Sequence, residues 1–283
     1  MDIKKVGVVG FGIMGAGITH NCAQSGYQVV TSDIAEELVS RGLKNIGLSL
    51  KRGVDKGRMA QEEMDACLGR IKGTTDMGDF AHCDLMIEAV IEDLDVKKKV
   101  FAQLDQICPA HTILATNTSV LSVTDIAVAT KRPDKVLGMH FANPVPVMKI
   151  LEMVKTIATS EETMAKARAF GESIGKRIVV ARDAAGFLSN RILTPFLLNA
   201  VRMLEGGYTT AEDIDLLHTL GLGHPMGPLA LLDLIGIDTV YRGASAIYDE
   251  LKDPQYNPPT LMRKMVAMGW HGRKTGKGFY DYQ

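Results

Sequence analysis

Two side chains in this sequence join a proton-exchanging group to something that could hold it. His140 closes the apolar run Lys135-Val136-Leu137-Gly138-Met139, and Phe141-Ala142-Asn143-Pro144 follows, where proline stops regular strand pairing. An imidazole at a strand end suits acid–base work near neutrality, although histidines there also serve as structural hydrogen-bonders. Glu152 interrupts a second apolar run, Ile150-Leu151-Glu152-Met153-Val154. A carboxylate there is costly to bury unpaired, and an imidazole is a natural partner, because the carboxylate fixes its tautomer and stabilises the imidazolium. The alternative is an edge strand with Glu152 facing water.

A second constellation concerns phosphate. Gly10-Phe11-Gly12-Ile13-Met14-Gly15 follows the β-rich run Val6-Gly7-Val8-Val9 and leads into a helical pattern, and a second β-rich run, Gln28-Val29-Val30-Thr31-Ser32, ends on Asp33. In this context each part has a role in dinucleotide binding. Gly10 makes the tight turn, Gly12 lets backbone approach the pyrophosphate, and Gly15 lets helix pack on strand. The helix N-terminus offers N–H groups to the anion. Asp33 can accept from both ribose hydroxyls and would repel a 2′-phosphate, so the expected cofactor is NAD (NADH). Ser32, Arg41 and Lys44 leave NADP as the less favoured choice.

Other polar groups admit two readings each. Thr116-Asn117-Thr118-Ser119 could hold a substrate oxygen or the nicotinamide amide, while Ser119 or Ser122 could cap a following helix. Asn190 could donate to a carbonyl or sit exposed on a helix. Lys44, Lys51, Arg52, Lys56 and Arg58 fall in one helical stretch, where Lys44 and Lys51, seven apart, share a face. They could grip phosphates of a bulky substrate or form a solvated surface. Neither His82-Cys83-Asp84 nor His218 with His224 has metal-ligand spacing, so no metal is expected.

These groups need a scaffold. Short β-rich runs alternate with helical patterns through residue 180, with further strands expected at residues 84–90, 112–116, 135–140, 149–154 and 177–180. Residues 35–70 are too long for a simple crossover and read as an inserted helical arm. From about Gly186 onward the pattern is helical. The expectation is an α/β protein: a Rossmann-type doubly wound sheet with an inserted arm over residues 1–183, and an all-helical domain over residues 184–283. A net charge of −1 argues against nucleic acid as a partner. No apolar stretch approaches membrane-spanning length, and no signal peptide is evident. Four cysteines without a C-x-x-C pair suit a reducing compartment. A cytoplasmic setting is the default.

Residues 10–15, 84–92, 117–119, 138–144, 186–191, 224–228 and 272–280 together resemble the 3-hydroxyacyl-CoA dehydrogenase family across essentially the whole chain. The resemblance is closest to its short-chain bacterial members. It implies NAD-dependent, reversible oxidation of a short-chain (S)-3-hydroxyacyl-CoA, such as 3-hydroxybutyryl-CoA, to acetoacetyl-CoA. His140 would be the acid/base and Glu152 its orienting partner. Ser119 and Asn190 would hydrogen-bond substrate oxygens, with Ser119 also near the nicotinamide. Glu92, Lys97, Asn143 and Lys274 match cofactor-contacting positions. Lys44, Lys51 or Lys56 match the region that holds the CoA nucleotide. The helical domain would supply the contact of a homodimer, or of a dimer-based oligomer, and close one wall of the cleft. Ala142 and Val120 depart from the family's commonest pattern, which leaves acyl-chain preference open. A dehydrogenase of a free hydroxy acid and a non-catalytic dinucleotide-binding protein are the alternatives; the latter predicts a missing base or orienting carboxylate.

Overall fold

The computed structural model describes residues 3–282 and divides into two compact units, the first ending at Asp183 and the second beginning at Ala184. The first unit is built on one eight-stranded sheet: β1 (Lys5–Val9), β2 (Gln28–Ser32), β3 (Ile71–Thr74), β4 (Leu85–Glu88), β5 (Ile113–Thr116), β6 (Val136–Phe141), β7 (Ile150–Lys155) and β8 (Arg177–Arg182). Their spatial order is β3-β2-β1-β4-β5-β6-β7-β8. Six neighbouring pairs are parallel and β6–β7 is antiparallel. A parallel pairing needs a crossover of a dozen or more residues, and the link over residues 142–149 is too short for one. Helices α1 (Ile13–Gln24), α2 (Glu36–Asp55), α3 (Gln61–Leu68), α4 (Leu94–Ile107), α5 (Val123–Ala127) and α6 (Glu161–Ser173) flank the sheet. β4 and β5 are buried along their whole length, as expected for central parallel strands covered on both faces.

The order of the first six strands reverses direction between β1 and β4, and ligands collect outside the carboxyl ends of strands at such a switch point. His140 lies near the carboxyl end of β6, at that same edge of the sheet.

The helical arm expected over residues 35–70 carries α2 and α3. The sequence reading places no strand after it, yet the chain then enters β3, which pairs in parallel with β2. The strand Ile71-Lys72-Gly73-Thr74 has no clear apolar alternation. Its Gly73 is required by packing: a β-carbon there would lie 2.5 Å from Val39 of α2.

The second unit is helical: α7 (Ser189–Glu205), α8 (Ala211–Leu216), α9 (Pro228–Ile235), α10 (Ile237–Leu251) and α11 (Thr260–Ala267). Leu198, Val201, Leu229, Leu232, Ile237 and Met262 form its core. Two buried aspartates tie the carboxyl-terminal segment to it. Asp233 accepts from the backbone N–H groups of Phe279 and Tyr280 at 3.0 Å each. Asp215 accepts from Leu229 N and Ala230 N at 2.8 Å, opening α9, and from the Tyr280 hydroxyl at 2.9 Å.

Candidate active site

The glycine loop has the shape of an anion cradle. Gly10 adopts φ +89°, and a β-carbon there would lie 2.6 Å from the carbonyl oxygen of Ala89. A β-carbon on Gly15 would lie 1.7 Å from the Gly10 oxygen, so α1 can pack on the loop only with glycine at that position. At Gly12 a β-carbon would meet nothing within 4 Å, so the loop opens there onto free space. No side chain caps α1 at Gly12, and its first turn has no acidic residue, which suits its N–H groups to an anion. Asp33 Oδ2 accepts from Phe11 N at 2.8 Å and Oδ1 from Ile34 N at 2.7 Å. The aspartate therefore holds the loop while each oxygen keeps a second lone pair. A cavity of about 700 Å³ is lined by Gly10, Gly12, Asp33, Ile34, Arg41 and Ile91 among others. Open space at Gly12, uncapped helix N–H groups and an aspartate in one cavity fit a dinucleotide.

His140 and Glu152 face each other across the antiparallel β6–β7 pair, with Nδ1 3.0 Å from Oε2. β7 lies between β6 and β8, so Glu152 is not an edge residue; it is 5% exposed. A carboxylate accepts from Nδ1–H, so this contact favours the Nδ1-protonated tautomer of the imidazole. Asn117 fixes this end of β6, its Oδ1 accepting from Phe141 N at 3.0 Å.

A second network lies behind Ser119. Glu88 ends β4 with no exposed surface, and its carboxylate accepts from Val90 N, Lys97 Nζ and Thr116 Oγ1, each at 2.7 Å. Lys97, on α4 and 1% exposed, also pairs with Glu92 Oε2 at 3.2 Å. Glu92 Oε1 in turn accepts from Ser119 N at 2.8 Å and from the Thr118 hydroxyl. The loop after β5 is thereby anchored to β4 through two carboxylates and one ammonium. Sequence reasoning had not singled out Glu88, though it carries the same signal as Glu152: a carboxylate in an apolar strand. Ser122, not Ser119, caps α5, accepting from Asp125 N at 3.1 Å.

The remaining candidates are separate from these networks. Lys44 and Lys51 are exposed on α2, Lys56 lies just past its end, and Lys51 pairs with Asp55 at 3.3 Å. Asn143 is exposed in the β6–β7 link. In the second unit Asn190 is half-buried at the start of α7, just after Phe187, whose φ of 47° is unusual for a bulky residue. Lys274 pairs with Asp238 at 2.5 Å. Burial alone would raise the Asp238 carboxyl, but Lys274 holds it below its ordinary value. All four cysteines are buried, and burial pushes Cys22 and Cys83 up to about 12 and Cys108 to about 11, which disfavours a reactive thiolate. No group of three or more His, Cys, Asp or Glu suited to a metal occurs among the described residues, and no described helix is long and apolar enough to cross a membrane.

The sequence matches the family model of the 3-hydroxyacyl-CoA dehydrogenase NAD binding domain over residues 5–184 and that of the C-terminal domain over residues 186–282. It is 44% identical to a 3-hydroxybutyryl-CoA dehydrogenase of Mycobacterium tuberculosis, over 99% of both chains. Identity is also 44% to a probable 3-hydroxybutyryl-CoA dehydrogenase of Bacillus subtilis, over 100% of this chain and 99% of the relative. The crystal structure of the (S)-3-hydroxybutyryl-CoA dehydrogenase of Ralstonia eutropha is similar at 42% identity, with a TM-score of 0.97 and 100% of each chain covered. The chain belongs to the 3-hydroxyacyl-CoA dehydrogenase family.

Proposed function

We propose that this protein catalyses the reversible NAD-dependent oxidation of a short-chain (S)-3-hydroxyacyl-CoA, 3-hydroxybutyryl-CoA above all, to the 3-oxoacyl-CoA. The observation that carries this reading is the buried Glu152 aligned on His140 at the sheet edge that also bears the dinucleotide cradle. Gly10, Gly12 and Gly15 with the start of α1 would hold the pyrophosphate, and Asp33 the ribose. Bound NAD supplies the hydride acceptor for oxidation, and NADH the donor for reduction. His140 takes the 3-hydroxyl proton at Nε2 as the carbonyl forms, and returns it to the same oxygen in reduction. Glu152 keeps the Nδ1–H tautomer in place and offsets the imidazolium charge. Ser119, held by Glu92, presents its hydroxyl to the substrate oxygen. Asn190 is assigned a similar bond, and Asn143 and Lys274 cofactor contacts, by family resemblance alone. The exposed α2 lysines, Lys44 and Lys51 with Lys56, would hold the CoA phosphates.

NADH consumption with acetoacetyl-CoA, longer 3-oxoacyl-CoA thioesters and free acetoacetate tests the reading. Turnover should be highest with acetoacetyl-CoA; equal or better use of the free acid would overturn the CoA assignment. In the same assay NADH should give the higher kcat/KM than NADPH, because Asp33 would repel a 2′-phosphate. The reverse preference would overturn the NAD assignment.

The second unit exposes Met203, Leu217, Leu220 and Leu222, an apolar surface that suits a homodimer contact. Light scattering should give the mass of a dimer or a multiple of it, and a monomer at working concentration would exclude that role.

A further inference from the structure

We propose that Lys176 is a positioning residue of this site, its ammonium clamping the turn that sets Glu152 opposite His140. The proposal rests on the assignment of these two residues as the acid–base pair. Lys176 immediately precedes β8, is 6% exposed, and has no ion pair among the described residues. Its Nζ donates instead to two backbone carbonyls, Val145 O at 2.6 Å and Met148 O at 2.9 Å. Both belong to the link over residues 142–149 that carries the chain from His140 and Phe141 into β7. A buried ammonium without a carboxylate is costly, and an aliphatic side chain could fill the same space without that cost. The two carbonyls are therefore what the charge serves.

The link needs such a clamp. Two-residue hairpin loops fix strand register by turn type alone, whereas this one has eight residues. A slip of one residue would turn Glu152 to the opposite face of the sheet from His140. Within the link, Val147 N and Met148 N both donate to Pro144 O at 3.0 Å, closing a turn from which the Val145 and Met148 carbonyls reach Lys176. Val145 is buried against α1, where a β-carbon on Gly17 would lie 3.1 Å from its side chain. Arg177 N donates to Lys149 O at 2.6 Å, so Lys176 and its neighbour hold successive points of the link.

The test compares Lys176→Met, which keeps length without donors, with Lys176→Arg, which can still donate to two carbonyls. Lys176→Met should speed amide hydrogen exchange within residues 144–149 while other segments keep their protection. It should lower kcat with acetoacetyl-CoA by about 10- to 100-fold, the scale expected from a small misplacement of a catalytic group. KM for NADH should stay near wild type, and Lys176→Arg should restore both exchange and kcat. Should Lys176→Met fail to fold, Lys176→Gln, which loses the charge and one bond of reach but keeps amide donors, should show smaller changes of the same sign in both exchange and kcat. Unchanged exchange in residues 144–149, or faster exchange with unchanged kcat, would overturn the proposal. A wild-type protein inactive on every 3-oxoacyl-CoA would overturn the acid–base assignment instead, and the exchange rates would still decide the clamp.

Discussion

Replacing His140 with Gln should lower kcat for acetoacetyl-CoA reduction by about 10²- to 10⁴-fold, the usual contribution of a positioned general acid–base. NADH binding, followed by fluorescence titration, should change little, because the cradle is built from β1, α1 and the end of β2, while His140 sits on β6. Glutamine can still hydrogen-bond Glu152 but has no group that exchanges a proton near neutrality. Glu152→Gln makes a sharper test of orientation. Its amide N–H₂ could donate to Nδ1, which would place the imidazole proton on Nε2 and remove the base needed for alcohol oxidation. The loss in that variant should therefore be greater in the oxidative direction measured from neutral enzyme. If His140→Gln turned over acetoacetyl-CoA at the wild-type rate, the imidazole would have no part in proton transfer.

The parts of this site that stand out in the sequence are those where a residue type contradicts its surroundings. His140 and Glu152 break apolar runs, and the glycines of residues 10–15 break a strand-to-helix transition. Their types point to chemistry, but their partnership is not local. It comes from the β6–β7 register, which pairs residues twelve positions apart, and a sequence read along one strand carries no register. Glu88 is equally anomalous in β4, yet its partners lie on α4 and β5, and only the fold brings Lys97 and Thr116 to it. β3 was hidden for a different reason. Gly73 answers to the close approach of Val39, so the strand lacks the side chain that would have marked it. Capping was half legible: of the two serines near α5, the one three residues before Asp125 makes the cap.

The same logic gives the largest expected stability effect. Lys97→Met should destabilise the protein by about 3–5 kcal/mol, because it strips the counter-charge from a carboxylate that has no solvent to turn to. Glu88 would keep only the Thr116 hydroxyl and Val90 N–H, with its charge otherwise uncompensated. For a unit of this size the change amounts to a fall in Tm of about 2–4 °C per kcal/mol. Glu88→Gln in the Lys97→Met background removes the stranded charge, so the double variant should be more stable than Lys97→Met alone. That recovery separates two roles for Lys97. Were the ammonium needed chiefly for direct contact with the cofactor, the double variant would keep the full rise in KM for NADH, whatever its stability. If it acts by holding Glu92, and through Glu92 the backbone of Ser119, the double variant should regain stability while kcat stays low, since Glu92 has still lost its anchor. Thermal unfolding of wild type and the two variants beside steady-state kinetics decides between them, and an unchanged Tm in Lys97→Met would rule out a structural ion pair altogether.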